Sequence, residues 1–318
     1  MSSFDFRIEL GLDSEYVLKH LQDNLIRPVE DIWTRPSKKF RAELVEKGYL
    51  LCAHEISSVE NKLKGLSQLI EEIHTGSLII DDIEDSTKIR RGAPSIHEIY
   101  GLPLALNAGN WLYFSPLSKL KDLELSTSQE LQLYRLIHHT LVQCHYGQAL
   151  DLGVNVTLLN KGELIDVCDS ALRLKSGSLT SLALQLGAII ADANQDFLNE
   201  LSRVGRELGF CLQMFDDIGI LMLPKEHQKR FEDLSLKRPS WIWRVIASEF
   251  DNRQFEFAKN FFDRNPSVDE IEFWLSEYAV AETAKAQAKL FMGHTIETFK
   301  GRFESLVKLL ERISHAYT

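Results

Sequence analysis

Basic charge is in deficit in this 318-residue chain, which carries 36 Lys and Arg against 46 Asp and Glu, a formal net charge of −10. With no cationic surplus to release counterions from a phosphate backbone, nucleic acid is excluded as the main partner, and partners are expected to be small or neutral. Proline and glycine are sparse, at 8 and 17, which leaves few of the turn clusters that separate short strands. Only four cysteines occur, Cys52, Cys144, Cys168 and Cys211, far apart, in apolar helical contexts and without a CxxC pair. They are read as buried free thiols of a reducing cytoplasm. No stretch approaches ~20 consecutive apolar residues, so no membrane span is expected. The start, Met1-Ser2-Ser3-Phe4-Asp5-Phe6, has neither the charged n-region nor the apolar core of a signal peptide. Gly-rich phosphate loops of the P-loop or Rossmann type are missing, as is any Ser/His/Asp or Cys/His constellation.

What the chain does have is apolar residues recurring at three- and four-residue spacing almost throughout, which predicts an all-α protein. Leu63, Leu66, Leu69, Ile70, Ile73 and Ser77 mark one inward stripe leading to Asp81. Leu131, Leu133, Leu136, Ile137, Leu141 and Cys144 mark a second, leading to Gly147 and Gln148. Loops are signalled at Thr34-Arg35-Pro36-Ser37, at Arg91-Gly92-Ala93-Pro94 and in the polar segment 224–239. None has the composition of an interdomain linker, so one helical domain over residues 1–318 is expected, with 251–318 as peripheral helices. Two aspartate pairs, Asp81/Asp82 and Asp216/Asp217, each close an apolar helical run, and this pseudo-symmetry suggests two facing metal sites.

The most informative segment is Leu78-Ile79-Ile80-Asp81-Asp82-Ile83-Glu84-Asp85-Ser86-Thr87-Lys88-Ile89-Arg90-Arg91-Gly92. On a helix Asp81 and Asp85 stand one turn apart with Asp82 beside them, so their carboxylates can converge on hard cations such as Mg²⁺. Arg90 and Arg91 can clamp phosphate oxygens with planar forks. A solvated acidic patch is the ordinary alternative. It fits poorly where three aliphatic residues run straight into the acids, because carboxylates at the end of a buried helix need a positive partner. Further on, Gln213, Asp216, Asp217 and Ile220 share one helical face; taken alone, the aspartate pair would also serve as a helix N-cap and its neighbour. Lys175, within an apolar helix, reads equally as a lysine that snorkels to the surface.

The first of these segments resembles the DDxxD motif, followed by Arg-Arg-Gly, of the trans-prenyl diphosphate synthases, and most closely the eukaryotic-type geranylgeranyl diphosphate synthases. The likeness continues through His97, Tyr100-Gly101 and Asn107-Ala108-Gly109-Asn110-Trp111-Leu112-Tyr113-Phe114, and it spans about residues 36–240. It implies a single helical bundle of the isoprenoid (class I terpenoid) synthase type with a central cavity. The implied reaction is Mg²⁺-dependent condensation of isopentenyl diphosphate with an allylic diphosphate by a cytoplasmic homodimer, with three Mg²⁺ per active site. Asp81, Asp82, Asp85 and Asp216 are then the metal ligands, and Lys175 and Gln213 join them in catalysis.

Other matches extend the implied site. Lys175-Ser176-Gly177 is similar to the family's Lys-Thr-Gly, whose lysine contacts the allylic diphosphate and whose glycine breaks the helix. Gly147-Gln148-Ala149-Leu150-Asp151 resembles GQxxD, although Gln148 and Asp151 also read as an ordinary surface pair. Lys38, Lys39 and Arg41 resemble the Gly-Lys-x-x-Arg that grips isopentenyl diphosphate, and also a solvated helix start. His74 matches a position at that second diphosphate, or is a satisfied core histidine; with Arg91 these residues form a metal-free anion site. Departures are equally plain. The second motif reads Asp216-Asp217-Ile218-Gly219-Ile220, without its third acid. Phe215 replaces a basic residue, and His315-Ala316-Tyr317-Thr318 lacks a basic tail. In Asp233-Leu234-Ser235-Leu236-Lys237-Arg238-Pro239-Ser240, Lys237 takes the glycine position and Arg238 the lysine position, so the charge is kept while the turn geometry is expected to be lost with the glycine.

Gly76 and Ser77, about one turn before Asp81, are small where family members making fifteen-carbon products tend to place a ring. A twenty-carbon product is expected, flanked by fifteen and twenty-five carbons, with Trp111, Tyr113 and Phe114 as the floor unless they are simply core. Two alternatives stand beside condensation: a terpene cyclase on the same scaffold and a non-catalytic modulating subunit.

Overall fold

The computed structural model describes residue 11 and residues 13–223 and 230–316, with 314–316 by backbone alone. The leading Met1-Ser2-Ser3-Phe4-Asp5-Phe6, residues 224–229 of the polar loop, and Tyr317 and Thr318 lie outside the described residues. In chain order the first helices are α1 (Glu15–Leu21), α2 (Arg27–Thr34), α3 (Phe40–Leu50), α4 (Glu60–Glu84), α5 (Ile96–Tyr100), α6 (Leu102–Phe114) and α7 (Thr127–Gly153). Then come α8 (Lys161–Leu172), α9 (Ser178–Ile190), α10 (Gln195–Leu221), α11 (Glu232–Ser235), α12 (Trp241–Glu249), α13 (Asn252–Asp263), α14 (Val268–Glu277), α15 (Val280–Phe299) and α16 (Glu304–Ala316). The one sheet among the described residues is a hairpin of β1 (Ile89–Arg90) and β2 (Ala93–Pro94), pairing Ile89 with Pro94 and Arg90 with Ala93. The all-α expectation holds.

Local chemistry explains many of the boundaries. Pro103 sits in the first turn of α6, where no helical partner is lost, whereas Pro28 follows directly on the π turn Gln22–Ile26, inside a continuous helical run. Capping boxes start α7 (Ser126/Gln129), α8 (Asn160/Glu163), α13 (Asp251/Gln254) and α14 (Ser267/Glu270), each pairing two otherwise orphaned amides with side chains. Two turns widen to π-helix, Gln22–Ile26 and Arg173–Gly177. The second was expected as a glycine break; the chain instead stays helical from α8 into α9 and takes up the strain as a π turn, a form common at functional sites.

The chain divides into two compact units, residues up to 40 with 68–123, and 41–67 with 124 onward. The first is built on Val29 and Ile32 of α2, Ile79 of α4, Ile96 of α5, and Ala105, Ala108 and Leu112 of α6, all buried together. In the second, every residue of α9 is buried. Its polar side chains are paired within the core: Thr180 donates to Ser176 O at 2.6 Å, and Gln185 Nε2 to Leu198 O at 3.0 Å. The helix α10 packs along α9, with α7 also against it and α15 against α10 and α12.

Three expectations need correction. Leu131 is 48% exposed, so the second stripe begins at Leu133. Cys52 is exposed and Cys144 only half-buried, leaving Cys168 and Cys211 as the buried thiols. Residues 251–318 are not all peripheral: Trp241 Nε1 donates to Ala284 O at 3.0 Å, and the Phe210 and Phe291 rings lie 4.9 Å apart.

The helix α3 crosses α9 where both lack side chains. A Cβ on Gly187 would stand 1.9 Å from Val45 O, and one on Gly48 would stand 2.0 Å from Leu184 O. Because those contacts are backbone atoms that cannot swing away, Gly187→Ala should destabilise the second unit by about 1–3 kcal/mol or more. Urea denaturation would measure it, and an unchanged midpoint would mean the helices separate freely.

Candidate active site

The first centre is assembled where α4 ends. Asp85 follows the last helical residue with its amide still bonded to Asp81 O at 2.9 Å, and the Thr87 amide turns back to Asp82 O at 2.9 Å. The next residues form the β1–β2 hairpin, whose two-residue loop is Arg91-Gly92, with φ of +53° and +78°. Two successive left-handed residues make the type I′ turn that suits a hairpin. Glycine adopts that conformation without strain; Arg91 adopts it at a cost that must be met by the surroundings.

Those surroundings are Arg35, a buried side chain of the loop after α2. Its Nη1 donates to Arg90 O at 2.9 Å and its Nη2 to Pro94 O at 2.9 Å, stapling both strands. Nε and Nη2 also reach Asp31 Oδ1 at 3.0 and 2.6 Å, and Tyr100 Oη donates to the other Asp31 oxygen at 3.2 Å. So held, Arg90 extends its fork to Asp82, with Nε at 2.8 Å and Nη2 also bonded, and Nη2 reaches Asp81 Oδ2 at 3.3 Å. Burial alone would lower the Arg90 pKa, but the Asp82 hydrogen bond and the charges of Asp81, Asp82 and Asp85 raise it overall. For Arg91, burial and the neighbouring Arg90 and Arg35 charges lower the pKa despite Glu71. Arg35 and Asp31 had no assigned role in the sequence. A cation beside Pro36 was the only local signal, and its contacts lie 55 and 59 residues away.

Of the other residues expected here, Lys38 is exposed and His74 half-buried. Lys39 has a left-handed backbone and places Nζ 5.8 Å over the Trp33 ring. Ser77 Oγ donates to His74 O at 2.8 Å. Gly76 marks a helix crossing: a Cβ there would stand 2.8 Å from both Gly109 O and Leu112 Cβ. Trp111 packs on the first unit's core, whereas Phe114 is 69% exposed and so is not core.

The second centre gathers α7, the π turn, α10 and the start of α12. Gly147 lets α7 lie close against the π turn, since a Cβ there would stand 2.5 Å from the Lys175 amide. That proximity brings Asp151 to Lys175, 2.6 Å from carboxylate to ammonium. Lys175 is therefore ion-paired as well as partly exposed, and Asp151 is more than a surface group. Ser176 Oγ donates to Gln213 Oε1, and Gln213 Nε2 donates to Asp217 Oδ1 at 2.8 Å. The Trp241 amide completes Asp217 through Oδ2 at 2.8 Å. The pair lies near the end of α10, which removes the N-cap alternative, and the partner of Gln213 is Asp217, while Asp216 is exposed. Arg41 lies within electrostatic reach of the Cys144 thiol.

Charge is crowded in this centre. Burial pushes the Asp217 carboxyl up to about 7, against the Gln213 and Trp241 hydrogen bonds, with Asp216 and Asp151 adding to the rise. Burial, then Asp217 and Asp151, hold Asp233 well above the usual carboxylate range despite Lys175. No local sequence pattern marks Asp233 for a role, because its neighbours come from other helices. The turn that follows survives without its glycine: Lys237 takes φ +56°, the Arg238 amide bonds Asp233 O at 2.9 Å, and Lys237 O accepts from the Val156 amide at 3.0 Å. The expected loss of that turn is thus corrected, and Arg238 is half-buried just beyond it.

Among the described residues no three Asp, Glu, His or Cys side chains stand together as a formed metal cage. The donor sets nevertheless suit a hard divalent cation. Both are all-oxygen, and in both the carboxylates already draw a cation or resist ionisation.

A family model described as Polyprenyl synthetase matches residues 22–278. A geranylgeranyl pyrophosphate synthase of Dictyostelium discoideum is 28% identical over 278 residues, covering 85% of this chain and 86% of its own. Geranylgeranyl pyrophosphate synthase atmG of Aspergillus flavus is 30% identical over 262 residues, covering 81% and 72%. The backbone resembles the crystal structure of a geranylgeranyl pyrophosphate synthase with a TM-score of 0.76 at 16% identity, covering 94% and 96% of the two chains, which shows the all-α isoprenoid synthase fold. The chain belongs to the polyprenyl synthetase family and is a prenyltransferase.

Arg35 touches the hairpin and not the acids, so its role can be isolated. Arg35→Ala should lower stability by about 2–3 kcal/mol through unpaired Asp31 and two orphaned carbonyls. Activity should fall with it, because Arg90 and Arg91 lose their mounting. Thermal denaturation with steady-state kinetics would show both; full activity in a folded variant would detach the hairpin from the site.

Proposed function

We propose that this enzyme is a short-chain prenyl diphosphate synthase that condenses isopentenyl diphosphate with an allylic diphosphate, giving geranylgeranyl diphosphate. The observation that carries the proposal is the first centre, where a complete Asp-Asp-x-x-Asp run meets a stapled Arg-Arg-Gly turn. Asp81, Asp82 and Asp85, with Asp216 of the second motif, would hold Mg²⁺, which supplies neutralisation of diphosphate charge when bound. Arg90 and Lys175 carry fixed positive charge for the allylic diphosphate, and Ser176 and Gln213 orient around Lys175. Lys38, Arg41, His74 and Arg91 serve isopentenyl diphosphate, a substrate that a cyclase does not use. In the reaction the allylic C–O bond breaks with its electron pair leaving on diphosphate. The isopentenyl double bond then forms the new C–C bond, and a proton leaves to the departed diphosphate. No side-chain nucleophile is needed. The four free thiols and the family resemblance support a cytoplasmic homodimer.

Purified protein given Mg²⁺, isopentenyl diphosphate and in turn dimethylallyl, geranyl and farnesyl diphosphates should make linear diphosphates. Hydrocarbon products would identify a cyclase, and no turnover would point to a modulating subunit. In the same assay Asp81→Ala should lose about a hundredfold or more in turnover while remaining folded.

The two substrates should separate by mutation. Lys38→Ala, Arg41→Ala or His74→Ala should raise the isopentenyl KM by about tenfold with little effect on the allylic KM, and Lys175→Ala should do the reverse. Equal effects on both would leave two distinct diphosphate roles unsupported.

Chain length is best probed at Ser77, since Gly76 has no room for any side chain. Ser77→Phe should shorten the principal product from twenty to fifteen carbons, read by chromatography of the dephosphorylated alcohols. An unchanged distribution would remove this face of α4 from the chain-length determinants.

A further inference from the structure

Two helices far along the sequence from either motif, α13 and α14, carry a recess of about 450 Å³. That is within the range of small-molecule sites. Four of its rings close a circuit. Phe257 stacks near Phe261 at 6.4 Å, Phe261 on Trp274 at 5.6 Å and 15°, Trp274 meets Tyr278 at 5.3 Å, and Tyr278 returns to Phe257 at 6.1 Å. A fifth, Phe273, is 70% exposed at its edge, and Phe257 is 45% exposed. Aromatic residues held this far open to water are not required by the packing of α13 or α14, whose buried anchors are Phe255, Ala258, Phe262, Ile271, Trp274 and Leu275.

The charges around the recess select what it takes. Among the described residues Arg264 is the single cation of the lining, against Asp269, Glu270 and Glu277. Glu270 is committed to the α14 capping box, accepting from the Ser267 amide at 2.8 Å and hydroxyl at 2.7 Å, but keeps its negative charge beside the rings. A diphosphate or other polyanion would be repelled, so this is not a second substrate site. Aromatic faces are themselves negative, and a ring of them surrounded by carboxylates favours a soft cation over a neutral hydrocarbon. Trp274 also lines the recess, at 3% exposure.

We propose that the aromatic recess between α13 and α14 binds an apolar organic cation, a ligand class distinct from the isoprenoid diphosphates. The cationic head sits against the rings of Phe257, Phe273 and Tyr278, with Glu277 balancing its charge.

Isothermal titration calorimetry on the full chain tests this with two probes of similar size: acetylcholine and its neutral carbon isostere 3,3-dimethylbutyl acetate. Acetylcholine should bind saturably at one site per chain, and the neutral isostere should be weaker by about tenfold. Phe273→Ala, at an exposed position that should leave folding and prenyl transfer unchanged, should weaken acetylcholine by about fivefold or more. Absence of saturable binding, equal affinity for the neutral isostere, or acetylcholine binding unaffected by Phe273→Ala would each overturn the assignment.

Discussion

Carboxylates withdrawn from water govern the arrangement of both candidate centres. Asp82 is 1% exposed and Asp217 is 3% exposed, and neither can be charged there without nearby donors or cations. The two units meet the requirement differently. In the first, a guanidinium is brought to the acids: Arg90 bonds Asp82 and Asp81. In the second, neutral donors serve Asp217 through the Gln213 amide and the Trp241 backbone, while Lys175 is ion-paired with Asp151. Burial outweighs those hydrogen bonds, Asp216 and Asp151 add to the effect, and the Asp217 carboxyl rises to about 7. An added divalent cation would relieve the second centre most directly, because its carboxylates outnumber its fixed positive charges.

Backbone proximity is the means by which those groups meet. Gly147 removes the side chain that would hold α7 away from the π turn, and the π turn carries Lys175 and Ser176 to Asp151 and Gln213. A continuous α-helix through residues 173–177 would rotate the following residues relative to α10. The hairpin after α4 works in the same way, with Arg35 fixing both strands so that a strained Arg91 and the fork of Arg90 are presented together. In both places a residue that contacts no acid of the motifs determines how a charged residue is aimed.

Much of this was legible beforehand. The helical class, the end of α4 at the first acids, the turn at Arg91-Gly92 and the burial of Leu66, Leu69, Ile70 and Ile73 follow from periodicity and turn chemistry, which are local properties. The pairing of Gln213 with Asp217 was also within reach, since residues four apart on a helix touch. What the motif does not record is which of two adjacent carboxylates is turned inward, and here it is Asp217, with Asp216 exposed. At Lys237 the motif misled in the other direction. The absent glycine suggested a lost turn, yet hydrogen bonds from Arg238 N and to Lys237 O hold a lysine in the left-handed conformation.

The sequence by itself determined the helical class, the places where helices stop, and the presence of an acid–arginine motif, because each depends on side chains a few residues apart. Tertiary structure alone decided that Arg35 is the staple of the hairpin, that Asp151 and not solvent receives Lys175, that Gly76 is a helix crossing, and that four aromatic residues of α13 and α14, with Tyr278 just beyond, ring a recess. Those outcomes depend on which helices pack side by side. A buried charge or an open ring is defined by neighbours tens of residues away, and that proximity is created only when the chain has folded.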